Sequence, residues 1–196
     1  MYPVIGIAGA AGAGKDTVAD FLKPSGYERY SLALPIKLGL NAMFGWSMEQ
    51  WNDREWKERV LPEFGVSPRR LAQTLGTEWG RETVSPDLWV QLASNHYRMH
   101  VMPLIKSGRI AGVVIPDIRF PNEVEWVRRW GGKVWYIDRP GVAAVAAHKS
   151  EGALPLSSFD RVLHNTGSLD RLRLQVSAYL HGVAQADSAA WDRAGV

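Results

Sequence analysis

The chain has no cysteine among its 196 residues, which excludes disulfides, thiolate metal ligands and a cysteine nucleophile. It has no uninterrupted apolar run of the ~18 residues that a membrane-spanning helix needs, and Met1-Tyr2-Pro3 leads into the first apolar run with no basic segment or cleavage signal before it. A soluble, cytoplasmic protein with no membrane partner is expected. Charge of one sign is also scarce. A net charge of +3 and a pI near 9.3 suit an anionic ligand and do not by themselves indicate nucleic acid. No histidine pair at H-x-x-x-H or H-E-x-x-H spacing comes with a third ligand, so His100 and His164 are read as structural, and no G-x-S-x-G elbow supports a serine hydrolase. There is no internal repeat. What is present is 46% hydrophobic residues, enough for one domain with a full core and a helical insertion.

The strongest positive signal lies at the start, in Val4-Ile5-Gly6-Ile7-Ala8-Gly9 followed by Ala10-Ala11-Gly12-Ala13-Gly14-Lys15-Asp16-Thr17. Gly9 and Gly14 frame the G-x-x-x-x-G-K spacing, in which small residues let successive N–H groups curve around a polyphosphate while Lys15 reaches its outer phosphates. Val18, Phe21 and Leu22 recur at helical spacing after the lysine, so a strand, a turn and a helix are expected in that order, with the helix adding its positive end to the site. Nucleotide binding follows. The position after the lysine, where a hydroxyl usually meets Mg²⁺, holds Asp16, and the hydroxyl moves to Thr17.

Further along, Pro35 starts a helix over Leu34 to Phe44, and a partly exposed helical stretch from Gly45 to Gly65 carries Trp46, Trp51 and Trp56, with Ser47 and Gln50 at capping-box spacing. Ser67-Pro68 opens another helix through Leu75, and a further one runs from about Ser85 toward Pro103. Residues from about 35 to 107 are therefore expected to be mostly helical. Ile110 to Pro116 is a continuous apolar run that fits a strand covered on both faces, with Asp117 at its carboxyl end. Val124 to Trp130 reads as helix, Val134 to Ile137 and Arg161 to Asn165 as strands, and Ser168 to Leu180 as the last helix, ahead of a tail expected to fray. The alternation predicts an α/β fold, a parallel sheet between two helical layers, with Lys15, Asp117 and Arg139 converging at the carboxyl ends of the strands.

A phosphoryl-transfer site for a phosphorylated acceptor needs cations beyond the loop lysine. Lys37, Arg69, Arg70 and Arg119 are the candidates, Arg119 standing two residues beyond Asp117 at the expected ligand edge.

These residues are similar, in order along nine tenths of the chain, to the deoxynucleoside monophosphate kinases of tailed bacteriophages. The similarity is carried by Gly14-Lys15-Asp16-Thr17, Leu34-Pro35-Ile36-Lys37, Arg69-Arg70-Leu71 with Gln73, Leu75-Gly76-Thr77, Trp89-Val90, Pro116-Asp117-Ile118-Arg119 with Glu123, Arg139-Pro140-Gly141, His148 with Glu151, and Gly167-Ser168-Leu169. The resemblance implies a three-layer P-loop kinase fold with a helical acceptor-binding insertion. It implies transfer of the γ-phosphoryl of ATP, with Mg²⁺, onto a deoxynucleoside 5′-monophosphate.

By the same resemblance Ala11, Gly12, Ala13, Gly14, Lys15, Asp16 and Thr17 hold the ATP phosphates, Asp16 helps hold Mg²⁺, and Arg139 contacts the ATP base. Lys37, Arg70, Gly76, Thr77, Trp89, Asp117, Arg119 and Glu123 form the acceptor side, with Lys15, Arg70 and Arg119 as the catalytic cations. Unlike relatives with basic residues inside the loop, this chain has neutral Ala11 and Gly12. A lid over about 141–155 and a homodimer are further expectations. The open alternatives are a P-loop kinase of another small phosphorylated metabolite or coenzyme precursor, and a nucleotide-dependent module using exposed tryptophans to bind DNA. No stable nucleic-acid partner is expected on the main reading.

Overall fold

The computed structural model describes residues 2–142 and 154–181. Its strands are β1 (Val4–Gly9), β2 (Tyr27–Arg29), β3 (Gly112–Ile115), β4 (Lys133–Asp138) and β5 (Arg161–His164). The helices are α1 (Lys15–Leu22), α2 (Leu34–Phe44), α3 (Arg54–Glu58), α4 (Pro68–Gln73), α5 (Leu88–His96), α6 (Met102–Lys106), α7 (Pro121–Arg129) and α8 (Leu169–Leu180). All strand pairs are parallel, in the order β2-β3-β1-β4-β5.

Alternation of side chains along each strand divides the core into two layers. Val4, Ala8, Val113, Ile115 and Val134 pack with Val90 and Ala93 of α5 and Val124, Trp126 and Val127 of α7. Ile5, Ile7, Val114, Trp135 and Ile137 pack with Val18, Ala19 and Leu22 of α1 and Leu172, Val176 and Leu180 of α8. Both faces of the central strands are therefore dry, which is why β1 and β3 read as unbroken apolar runs. A third cluster, Ile36, Leu40, Trp51 and Trp89, forms the core of the segment between β2 and β3. The connection from β1 runs to β2 on one side and that from β3 to β4 on the other, so the strand order reverses between β1 and β3, and the crevice at their carboxyl ends is where ligands bind in such sheets.

The departures from the expected elements have local causes. β2 escaped notice because only Tyr27 faces the core, while Glu28 and Arg29 are exposed. Ser47 and Gln50 do pair, through the Ser47 N–H and Gln50 Oε1 at 2.7 Å. They precede only a single 3₁₀ turn, Gln50–Asn52. α3 begins later because Asp53 caps it, its Oδ1 accepting from the N–H groups of Glu55 (2.8 Å) and Trp56 (3.2 Å). Ser67 caps α4 as expected, accepting the Arg70 N–H at 3.2 Å. That helix does not stop near Leu75 but widens into a π-helical segment, Thr74–Val84. The Trp89 indole N–H donates to the Gly76 carbonyl at 2.7 Å, engaging the acceptor that an α-helical Gly80 N–H would use. Pro103 does not end its helix either. A π turn over Tyr97–Val101 precedes it, placing it in the first turn of α6, where its missing N–H costs nothing. Leu169 points outward at 61% exposure, and Tyr179 takes a place in the core instead. The lid expected over 141–155 and the tail lie for the most part outside the described residues.

Candidate functional site

β1 ends at Gly9 with φ +142, and a Cβ there would stand 2.8 Å from the carbonyl oxygen of Ile137 on β4, so only glycine lets the chain leave the sheet at this point. The loop closes through Ala13 N–H to Ala10 O at 3.1 Å, and α1 starts through Val18 N–H to Gly14 O at 3.0 Å. Lys15 folds over the loop and donates from Nζ to Gly9 O (2.8 Å) and Ala10 O (2.7 Å). These carbonyls store the ammonium at the mouth of the loop, within reach of an anion seated on its N–H groups. Asp16 and Thr17 follow in the first turn of α1, and the exposed Asp16 carboxylate pairs with Arg29 of β2.

Two side chains from the far strands hold the loop from outside. Arg139, just beyond β4, donates to Gly12 O at 3.1 Å. Asn165, just beyond β5, donates to Ala13 O at 2.8 Å while its own N–H is fixed on Asp138 O at 2.8 Å. Asn165 is itself anchored, because Gln175 of α8 binds both the N–H and the carbonyl of His164 at 2.9 Å. None of the sequence motifs marked Asn165. Its signal was a polar residue at the carboxyl end of a strand, the same position that drew attention to Asp117. Asn165→Ala is expected to raise the KM for ATP about fivefold and leave the acceptor KM unchanged, since one loop carbonyl loses its donor at a cost of about 1 kcal/mol. Steady-state kinetics varying each nucleotide in turn checks this.

On the other side of the crevice Asp117 ties two parts of the chain together. Its carboxylate accepts from Ser31 Oγ (2.6 Å) and from the N–H groups of Leu32 (3.1 Å) and Ala33 (3.0 Å). α2 has no side-chain cap of its own, so Asp117 supplies negative charge at its positive end from across the site. This orients the first turn of α2, which carries Lys37. Burial lowers the Lys37 ammonium pKa, opposed by the charge of Asp117. Burial, and then the Asp117 charge, push the Tyr30 hydroxyl up to about 12.

Arg70 is exposed and paired with Glu78 at 3.0 Å, while Arg69 turns to Glu58 at 2.6 Å. Gly76, Thr77 and Trp89 come together as one packed unit. A Cβ on Gly76 would stand 2.9 Å from Ile36, and Trp89 is only 5% exposed beneath the π-helical segment. Thr77, equally buried, lines a cavity of about 630 Å³ together with Arg81, Phe120 and Asn122. Arg119 is half-buried just past β3, with its N–H held by Glu123 Oε2 at 2.6 Å.

Glu123 is the most deeply placed charged group of the site, 2% exposed, and it also accepts the Phe120 N–H at 3.0 Å and Arg81 at 2.5 Å. Burial pushes its carboxyl up to about 7, against the lowering pull of Arg81 and the two N–H groups. The folded pKa therefore exceeds the unfolded one, near 4.5. In that window the folded protein holds a proton that the unfolded chain has released, so this group's contribution makes stability fall as pH rises from about 4.5 to about 7, and then level off. Glu123→Gln is expected to flatten that part of the profile, read from urea unfolding at successive pH values.

A glycine-framed loop that closes on a lysine after the central strand of an all-parallel sheet defines an α/β protein of P-loop kinase type. A family model described as deoxynucleotide monophosphate kinase matches residues 55–176. A relative from Acanthamoeba polyphaga mimivirus whose name assigns it to the same family is 33% identical over 189 residues, covering 93% of this chain and 98% of that protein. The deoxynucleotide monophosphate kinase of Enterobacteria phage T4 is 33% identical over 106 residues, covering 54% of this chain and 42% of that protein. Among solved structures, the dephospho-CoA kinase of Campylobacter jejuni is similar at a TM-score of 0.49 and 14% identity, covering 93% of this chain and 98% of that one. The chain belongs to the deoxynucleotide monophosphate kinase family.

Proposed function

We propose that the protein transfers the γ-phosphoryl group of ATP to a deoxynucleoside 5′-monophosphate, giving ADP and the deoxynucleoside diphosphate. The observation that supports this is the presence of two differently built cationic sites beyond the carboxyl ends of the neighbouring parallel strands β1 and β3. One is the Gly9–Thr17 loop with its stored lysine. The other is Lys37 and Arg119, carried on backbone held by Asp117 and Glu123, to which the resemblance adds Arg70.

An oxygen of the acceptor phosphate attacks the γ-phosphorus as the bond from that phosphorus to the β,γ-bridging oxygen breaks, and ADP leaves with the bond's electrons. A phosphomonoester has its second pKa at ~6, so the attacking oxygen is already largely ionised and the chain needs no general base. Positioning and charge neutralisation do the work. Loop N–H groups and Lys15 bind the donor's phosphates, Arg139 lies at the loop's outer edge on the side proposed for the ATP base, and Lys37, Arg70 and Arg119 hold the acceptor phosphate.

The Asp16 carboxylate and Thr17 hydroxyl at the start of α1 are the hard oxygen donors that suit Mg²⁺, which usually takes one or two protein oxygens beside phosphate and water. When bound there it would offset phosphate charge. Glu123 supports the acceptor side from beneath, and Gly76 and Trp89 do so by holding Thr77 in the cavity wall.

The DNA-binding alternative loses three of its tryptophans, because Trp46, Trp51 and Trp56 pack edge-to-face on one another at 5.0 to 5.9 Å. Among the described residues no helix is long and apolar enough to cross a membrane. The test is a coupled ADP-release assay with ATP, Mg²⁺ and each of the four deoxynucleoside monophosphates and their ribose counterparts. Turnover with deoxynucleotides supports the proposal, and acceptor-independent ADP release or none overturns it.

A further inference from the structure

Arg81 lies in the π-helical segment Thr74–Val84, outside every motif read from the sequence, yet it makes the most deeply placed charged contact of the site. Its side chain is 12% exposed, and one guanidinium nitrogen meets Glu123 Oε1 at 2.5 Å. Another donates to the Pro86 carbonyl at 3.1 Å, and the guanidinium carbon lies 3.9 Å from the centre of the Phe120 ring. The opposite oxygen of Glu123 accepts the N–H groups of Arg119 and Phe120. One carboxylate thus joins Arg81 of the helical segment to the backbone of the turn that presents Arg119. The widened helix places Thr77 and Arg81 on one cavity wall, next to that turn.

We propose that Arg81 is a positioning residue for phosphoryl transfer, setting the orientation of Arg119 through the buried Glu123 carboxylate. This rests on the reading of the site as a deoxynucleoside monophosphate kinase. Its physical basis is the rigidity of the link. Glu123 has donors on both oxygens, and the planar Arg81 fork is fixed at Glu123, at Pro86 and against Phe120. Loss of the fork frees the carboxylate to rotate, and the Arg119 turn loses its fixed register. A displacement of about 1 Å at a transferring group costs on the order of 10²-fold in rate. A cation that merely stapled two helices together would affect unfolding and leave the rate of the folded enzyme unchanged.

The test compares wild type, Arg81→Lys, Arg81→Met and Arg81→Ala by kcat, by KM for each nucleotide and by thermal unfolding. The double variant Arg81→Met/Arg119→Ala is measured beside Arg119→Ala. Arg81→Met is expected to lower kcat 20- to 100-fold with the ATP KM within twofold, and Arg81→Lys to recover only part of the loss, since it restores charge without the fork. Because the neighbouring cavity of about 630 Å³ admits a small cation, millimolar guanidinium is expected to raise Arg81→Ala turnover at least fivefold and to leave Arg119→Ala unchanged. In the Arg119→Ala background the added Arg81→Met change is expected to cost less than threefold, because both act on one element.

A kcat within twofold of wild type in folded Arg81→Met, or full additivity in the double variant, overturns the proposal. If Arg81→Met does not fold, Arg81→Lys decides by the same criterion, a kcat within twofold of wild type overturning it. Absence of deoxynucleotide turnover in the wild type would instead overturn the functional reading, so the two failures are distinguishable.

Discussion

Lys15→Ala is expected to lower kcat by about 10³-fold while moving the midpoint of thermal unfolding by no more than about 2 °C. In the structure the Lys15 ammonium rests on the Gly9 and Ala10 carbonyls, two main-chain acceptors at the edge of the loop. Neither is in the sealed core, so both can turn to water when the side chain is removed, and the fold loses little. The transferring group loses a charge that the loop itself does not replace, since Ala11 and Gly12 are neutral and Arg139 donates to Gly12 O. ADP release under saturating nucleotides, paired with a melting curve, measures both quantities. Turnover within tenfold of wild type would remove Lys15 from its proposed role.

Arg119→Ala is expected to lower turnover by roughly 10³- to 10⁵-fold, the range for a cation that stabilises the transferring phosphoryl group. The substitution leaves the backbone contacts of the turn in place. The bond from Arg119 to Glu123 is made by the main-chain N–H, which alanine retains, so the turn keeps its 2.6 Å anchor and only the guanidinium is lost. Asp117 likewise keeps its three donors from Ser31, Leu32 and Ala33. The effect therefore reports on the guanidinium and not on the backbone of the turn. A loss of only tenfold would place Arg119 outside the transfer, as a contributor to acceptor binding alone.

The donor half of the site was legible because it is local. Gly9 to Thr17 is one continuous stretch whose spacing, flanking strand and following helix can all be checked on the sequence. The helix over Leu34 to Phe44, the apolar strand ahead of Asp117 and the helix start at Ser67 were legible for the same reason, each being signalled within a few residues. The acceptor half is different. Asp117 was marked as a polar residue at a strand end, but nothing local says that it would cap a helix that begins at Leu34. Glu123 entered only through a family resemblance, and Asn165 and Arg81 were missed, because each works through a partner more than 40 residues away.

The sequence by itself determined the class of this protein: apolar runs alternating with helical periods require a parallel sheet covered on both faces, and a glycine-framed lysine after the first strand requires a phosphate site at its end. The tertiary structure decided which polar groups organise that site. The Trp89 indole takes the Gly76 carbonyl, the helix widens, Arg81 comes to face Glu123, and Glu123 fixes the turn of Arg119. Those pairings depend on hydrogen-bond geometry and burial between elements distant in the chain. No periodicity or spacing encodes them, since a buried carboxylate is stable only against donors that the folded chain brings to it.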